Sequence, residues 1–103
     1  MYIKLNEQEV VDGICMAAAQ ELNCDVTEVD VQDIEAKADG DIHAHVRQSG
    51  LIFNRATLDL GDIMDGIVAF YVEFHSFNPQ AIVIRGVNHN PQEGFWAEVT
   101  INE

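Results

Sequence analysis

The sequence predicts an α+β fold in which an αββ unit occurs twice, with a pseudo-two-fold axis between the halves. The expected assembly is a four-stranded antiparallel sheet with two helices on one face. Two observations carry this prediction. Residues 5–48 resemble residues 58–101 at an offset of 53 positions without a gap, and each copy has the pattern of one helix followed by two strands. The length of 103 residues is near the common domain size, so residues 1–103 are expected to form a single domain.

The similarity between the two copies lies mainly in the physical roles of aligned residues. Several positions keep an apolar residue in both copies, whereas identity is modest. By chance, roughly two or three identities are expected at ordinary composition, so two similar helix–hairpin units aligned by accident are the alternative interpretation. The identical pairs are Leu5/Leu58, Asp12/Asp65, Gly13/Gly66, Ile14/Ile67, Ala44/Ala97 and Val46/Val99.

Each copy begins with the signals of a helix start. Asn6 is suited to cap the first helix, and Glu9 three residues later completes a capping box. Asp59 and Asp62 have the same arrangement in the second copy. Apolar residues follow at helical spacing, and the second helix has the wider apolar face, which predicts deeper burial or an oligomer contact.

A glycine in the first half of each predicted helix indicates a close backbone approach. Gly13 and Gly66 occupy the same position in the two copies. Glycine within a helix costs on the order of 1 kcal/mol relative to alanine. We therefore expect the helix backbone to pass close to the sheet or to the other helix at these positions.

Two strands are predicted after each helix. Val29 and Val31 alternate before the apolar phase slips to Ile34, and the second copy slips at the same place, near Gly86. A slip at one position in both copies predicts a β-bulge in each. Residues 48–55 would link the copies, with the apolar trio Leu51, Ile52 and Phe53 extending a strand or packing beneath the second helix.

The second predicted strand of each copy, called here the return strand, alternates between apolar and polar residues, which predicts one buried and one open face. The open face would carry His43 and His45 in the first copy and Trp96 and Glu98 in the second. The inward residues are expected to be Ile42, Ala44 and Val46 with Phe95, Ala97, Val99 and Ile101.

The histidine pair predicts a candidate metal site. Two imidazoles two residues apart on a strand lie on one face, roughly 7 Å apart at about 3.3 Å rise per residue, and both can reach one ion. Glu35 and Asp33 are expected opposite His43 and His45, and Glu98 would lie close if the return strands pair. This ligand set suits Zn or Ni; the alternative is an exposed histidine pair with acidic neighbours.

An interaction surface is the other prediction for the open face and the second helix. Trp96 is the single tryptophan and would be exposed on the open face, and tryptophan is enriched at interface hot spots. Trp96, Tyr71 and Phe70 are therefore the candidate anchors of a homodimer. The acidic surface also permits a basic protein partner.

Composition and charge narrow the classes of partner and location. The formal net charge is −13, from 18 acidic and 5 basic side chains, which disfavours nucleic acid and anionic membrane as partners. No apolar run approaches the length of a membrane span. Cys15 and Cys24 form no disulfide framework, which predicts reduced thiols in a cytoplasmic protein.

No motif of a common enzyme class is present in the sequence. It contains no Gly-rich phosphate loop, no GxSxG elbow and no HExxH pair. The sequence therefore favours a non-enzymatic binding module that self-associates, with a metal-binding protein as the alternative. A small enzyme with its pocket at the pseudo-dyad is a third, weaker hypothesis.

The start of the chain resembles a known family. The segment Leu5-Asn6-Glu7-Gln8-Glu9-Val10-Val11-Asp12-Gly13-Ile14-Cys15 is similar to the start of the YxcD-like proteins, small acidic chains of Bacillus-type bacteria. Length and acidic balance fit as well. The resemblance implies a small cytoplasmic bacterial protein and assigns no catalytic residue.

Overall fold

Six strands and two α-helices make up the computed structural model, which describes residues 1–102. In chain order the elements are β1 (Tyr2–Leu5), α1 (Glu7–Leu22), β2 (Val29–Ala36), β3 (Ile42–Gln48), β4 (Arg55–Leu58), α2 (Leu60–His75), β5 (Ile82–Asn90) and β6 (Gly94–Ile101). Short 3-10 helices at Val26–Glu28 and Pro79–Ala81 lead into β2 and β5. Within this described part of the chain, neither α-helix is long and apolar enough to cross a lipid bilayer.

The predicted single four-stranded sheet is wrong, because the strands form two separate three-stranded antiparallel sheets. One has the order β2–β3–β4 and is called here the histidine sheet, after His43 and His45. The other has the order β1–β6–β5 and is called the tryptophan sheet, after Trp96. The α+β content is as expected, but the predicted αββ–αββ order lacked β1 and β4, the short strands that precede the helices.

These two short strands explain why one sheet does not form. β4 pairs along β3 from Arg47↔Arg55 to Ala44↔Leu58, and β1 pairs along β6 up to Leu5↔Ala97. Both edges of β3 are therefore occupied, by β2 and β4, and both edges of β6 are occupied, by β5 and β1. In each case one partner belongs to the same hairpin and the other is a short strand from the other half of the chain. With no free edge left, β3 and β6 cannot pair with each other at the centre of one sheet.

Both predicted helix starts are confirmed. The Asn6 side chain accepts a hydrogen bond from the Glu9 backbone at 2.9 Å, and the Glu9 carboxylate accepts one from the Asn6 backbone at 3.2 Å. Asp59 and Asp62 form the same reciprocal pair at 2.9 and 3.0 Å. These bonds satisfy backbone donors that the first turn of a helix leaves unpaired.

The helices cross at the two glycines, as the sequence predicts. A β-carbon at Gly66 would overlap the backbone carbonyl oxygen of Gly13 and lie 2.9 Å from the β-carbon of Ala17. A β-carbon at Gly13 would lie 2.6 Å from a side-chain carbon of Ile67. The glycines thus permit backbone contact between α1 and α2 that any larger residue would block.

Both predicted β-bulges are present. The β2–β3 register shifts between Val31 and Asp33, and the β5–β6 register shifts between Ile84 and Gly86. The extra residue changes which side chains face outward. In β2 it places Asp33 opposite His45 and Glu35 opposite His43, the expected pairs.

The helices pack against each other and contact strands of both sheets, so that one apolar cluster joins the elements. The inward residues predicted for the two return strands are all buried: Ile42, Ala44, Val46, Phe95, Ala97, Val99 and Ile101.

The loop between β3 and β4 differs from its prediction. Leu51, Ile52 and Phe53 neither extend a strand nor pack beneath α2 but lie exposed, and Phe53 is 98% exposed. Asn54 holds the base of this loop, donating hydrogen bonds to the Leu22 carbonyl at 2.9 Å and to the Gln48 side chain at 2.8 Å. Hydrogen bonds therefore fix the base of the loop, while its apolar tip, residues 51–53, is exposed to solvent.

Candidate functional site

The outer face of the histidine sheet consists of polar side chains in rows across its strands. One row is Asp33, His45 and Thr57, and the next along the strands includes Arg47 and Arg55. His45 is at the centre because β3 is the middle strand. The face is open to solvent, since both helices lie against the opposite side of the sheet: Asp33, Arg55 and Thr57 are exposed, and His45 and Arg47 are half-buried.

His45 is oriented by hydrogen bonds on both ring nitrogens. Its Nε2 lies 2.8 Å from Oε1 of Glu35, and its Nδ1 lies 3.1 Å from the hydroxyl oxygen of Thr57. A hydroxyl can donate or accept, so Thr57 can bond Nδ1 in either tautomer of the ring. The imidazole therefore keeps its position whether Nε2 carries a proton or offers its lone pair to a ligand.

Glu35 is held ionised beside this histidine. The hydrogen bond from His45 and the nearby ammonium of Lys37, 3.3 Å away, lower the pKa of the Glu35 carboxyl below its ordinary value. An ionised carboxylate is the form that binds a cation. Asp33 completes the group: one ligand atom each from Asp33, Glu35 and His45 lies within 4.8 Å of the others.

The other predicted metal ligands lie elsewhere. His43 Nε2 is 3.0 Å from Oδ2 of Asp41 at the β2–β3 turn, and His43 does not join the Asp33–Glu35–His45 group. A backbone hydrogen bond from Ile42 is the main cause of the lowered pKa of Asp41. Glu98 lies on β6 in the tryptophan sheet, as the partner of Lys4 and Gly86. The structure thus brings Glu35 to one histidine and not to the pair.

The three predicted interface anchors have different surroundings. Tyr71 is buried in the core at 5% exposure. Phe70 is half-buried and packs against Phe74, with ring centroids 5.0 Å apart. Trp96 is also half-buried, and the Lys4 ammonium lies 5.2 Å from its ring centroid in a cation–π arrangement. The most exposed apolar side chain among residues 1–102 is instead Phe53.

A cleft of about 670 Å³ lies beside His45, and most of the residues around it were not predicted from the sequence to lie together. Thr57 and Arg55 come from β4, which was not predicted as a strand; only Arg55 falls within the predicted link of residues 48–55. The alternation of polar and apolar residues in Arg55-Ala56-Thr57-Leu58 is the signal that could have indicated a strand. The side chains around the cleft include Gln32, His45, Arg47, Ile52, Arg55 and Thr57.

Comparison with known proteins identifies a relative along the full chain. It is a protein of Bacillus subtilis (strain 168) named "Uncharacterized protein YxcD", 34% identical over an alignment of 110 residues that covers 100% of this chain and 97% of the relative. No family model matches the chain, and no solved structure matches it. Identity of this extent over both full lengths shows common family membership, and the chain therefore belongs to the YxcD family of bacterial proteins.

Proposed function

We propose that this protein binds a transition-metal ion through His45, Glu35 and Asp33. The observation that carries the proposal is the convergence of one imidazole and two carboxylates, with ligand atoms within 4.8 Å of one another. A metal ion bound to Nε2 would lie between His45 and Glu35, with the proton of the neutral ring moved from Nε2 to Nδ1. The Nδ1 proton would then be donated to Thr57, the kind of supporting bond that orients histidine ligands in metal sites.

The ligand types and the charge of the chain favour a borderline divalent ion. Imidazole suits Zn, Cu, Fe and Ni, whereas carboxylates also suit Mg, Ca and Mn. Zn and Ni are therefore the first ions to test. The net charge of −13 raises the local concentration of any cation. Three protein ligands on a half-exposed face leave coordination positions for water, so the expected affinity is moderate.

Thermal unfolding of metal-free protein with Zn, Ni, Cu, Mn and Ca tests this function. A bound ion stabilises the folded state by mass action, by about 2.7 kcal/mol at a free concentration 100-fold above the Kd. We expect Zn or Ni to raise the Tm of the parent protein and of His43→Ala. The Tm of His45→Ala should not respond, because the central ligand is lost.

The His43→Ala variant is the matched control, since His43 lies on the same strand and face but bonds Asp41. Equal Tm increases in His45→Ala and the parent would contradict metal binding at the proposed site. A response lost only in His43→Ala would move the site to the β2–β3 turn.

A second proposed function is self-association through the apolar tip Leu51–Phe53. Three consecutive apolar side chains exposed on an ordered loop are unusual for a monomer surface. Two copies, each with net charge −13, repel each other at low ionic strength. Association through apolar contacts should therefore strengthen as salt screens this repulsion, whereas binding of a basic partner would weaken with salt.

Sedimentation velocity at low and high ionic strength measures this association. We expect a dimer that is favoured by salt and weakened in Phe53→Ser, because the most exposed of the three apolar side chains is removed. Trp96→Ala distinguishes this surface from the tryptophan sheet. Dimer loss in Trp96→Ala alone would assign the interface to that sheet, and a monomer under all conditions would exclude self-association.

The two thiols support a proposed cytoplasmic location and a non-enzymatic role. Cys15 and Cys24 form no disulfide within residues 1–102. Burial is the main cause of the raised pKa of both thiols, and neighbouring acids, Asp12 and Glu28 among them, add to it. Protonated thiols are poor nucleophiles, so neither cysteine is suited to covalent catalysis.

A further inference from the structure

Two of the five basic side chains of this acidic protein lie opposite each other on the outer face of the histidine sheet. Arg47 on β3 and Arg55 on β4 are direct partners in the antiparallel register. Both side chains line the cleft of about 670 Å³. A concentration of positive charge at one place on a chain with net charge −13 needs a physical reason.

The protein's own acids do not neutralise this pair fully. Arg47 donates from Nε to Oδ2 of Asp30 at 3.3 Å. Arg55 has no side-chain hydrogen bond or ion pair within residues 1–102, although the chain has 18 acidic residues. Like charges directly opposite on neighbouring strands destabilise a sheet. An external anion between the guanidinium groups would remove this repulsion.

The cleft beside the arginines has the size and the mixed lining of a small-molecule site. Its volume of about 670 Å³ lies within the range of roughly 300–1,000 Å³ common for ligand pockets. Ile52 contributes an apolar wall, while Gln32 and Thr57 contribute neutral polar groups. The planar guanidinium groups match the oxygen pairs of a carboxylate or a phosphate.

We propose that this cleft binds a small anionic ligand, with its carboxylate or phosphate oxygens held by Arg55 and Arg47 and its remaining atoms against Ile52. The argument rests on the arginine pair and the cleft, and it does not depend on a metal ion at Asp33, Glu35 and His45. Arg55 is the main contributor, because its guanidinium is not engaged by a carboxylate of the protein.

NMR titration of metal-free protein with succinate, and separately with inorganic phosphate, tests this proposal. Ionic strength is held constant with sodium chloride, so that screening does not change along the titration. We expect saturable shifts of the Nε–Hε signals of Arg55 and Arg47 with at least one of the two anions. The anion that saturates the signals identifies the ligand group.

Arg55→Gln should weaken binding by about tenfold or more, because a charge-assisted bidentate contact is lost. Arg85→Gln is the matched control: Arg85 lies on the tryptophan sheet, where its Nε donates to the Thr100 hydroxyl, and its loss should leave the affinity unchanged. Ile52→Asp, which places a negative charge at the cleft wall, should also weaken binding. Shifts that stay linear with both anions, or equal affinity in Arg55→Gln and the parent, would overturn the proposal.

Discussion

Leu5→Ala is expected to lower the free energy of unfolding by about 2–5 kcal/mol, the usual cost of removing a buried leucine side chain. Leu5 is 1% exposed and ends β1, a strand of only four residues. Its side chain belongs to the core cluster that joins both sheets and both helices. The loss should therefore leave a cavity beneath the tryptophan sheet that the short edge strand cannot close.

Tyr2→Ala is the matched control for Leu5→Ala. Tyr2 lies on the same strand but is 61% exposed, so its truncation removes little buried surface. Urea unfolding followed by circular dichroism gives both free energies. If Leu5→Ala were as stable as Tyr2→Ala, β1 would not contribute to the core in the way that the two-sheet arrangement requires.

Gly66→Ala is expected to destabilise the protein by about 1–3 kcal/mol, the range for overpacking a core. Helix propensity alone would favour alanine by about 1 kcal/mol. The added β-carbon, however, would overlap the Gly13 carbonyl oxygen and lie 3.0 Å from its carbonyl carbon. Since this obstacle is backbone, α1 and α2 would have to separate along their crossing.

Gly61→Ala provides a control of opposite sign in the same helix. A β-carbon at Gly61 would meet only the Asp59 side chain, at 3.4 Å. This variant should therefore match or exceed the stability of the parent. Thermal unfolding of the two variants compares them directly, and a stabilised Gly66→Ala protein would contradict the close helix crossing.

Local signals in the sequence predicted the parts of the fold that depend on nearby residues. The capping boxes at Asn6 and Asp59 depend on contacts within three residues. The bulges were predicted from a slip in side-chain alternation. The close contact between the helices was predicted from the energetic cost of glycine within a helix. Each of these features has a short-range physical cause that a single sequence displays.

Sheet assembly was not predictable in the same way, because strand pairing joins residues far apart in the chain. The four-residue strands that end at Leu5 and Leu58 were not predicted from the sequence. Such short segments carry little periodic signal. Missing β4 also removed Arg55 and Thr57 from the predicted open face.

In the candidate site, the strand register was predictable from the sequence, whereas the side-chain contacts were not. The pairing of Asp33 with His45 and of Glu35 with His43 was expected from the bulge position. The side chains then depart from this register, since Glu35 bonds the diagonal neighbour His45 and His43 bonds Asp41. Rotamer choices of this kind depend on neighbouring groups in three dimensions and are not encoded in strand spacing.

Long-range proton–nitrogen NMR of the histidine rings during Zn titration tests the proposed metal site most directly. We expect His45 Nε2 to lose the proton that it donates to Glu35 and Nδ1 to carry the ring proton, donated to Thr57, in the Zn-bound protein. Both nitrogens of His43 should stay unchanged. This pattern would place the ion between His45, Glu35 and Asp33. No change at His45, or equal changes at both histidines, would contradict the single-histidine site.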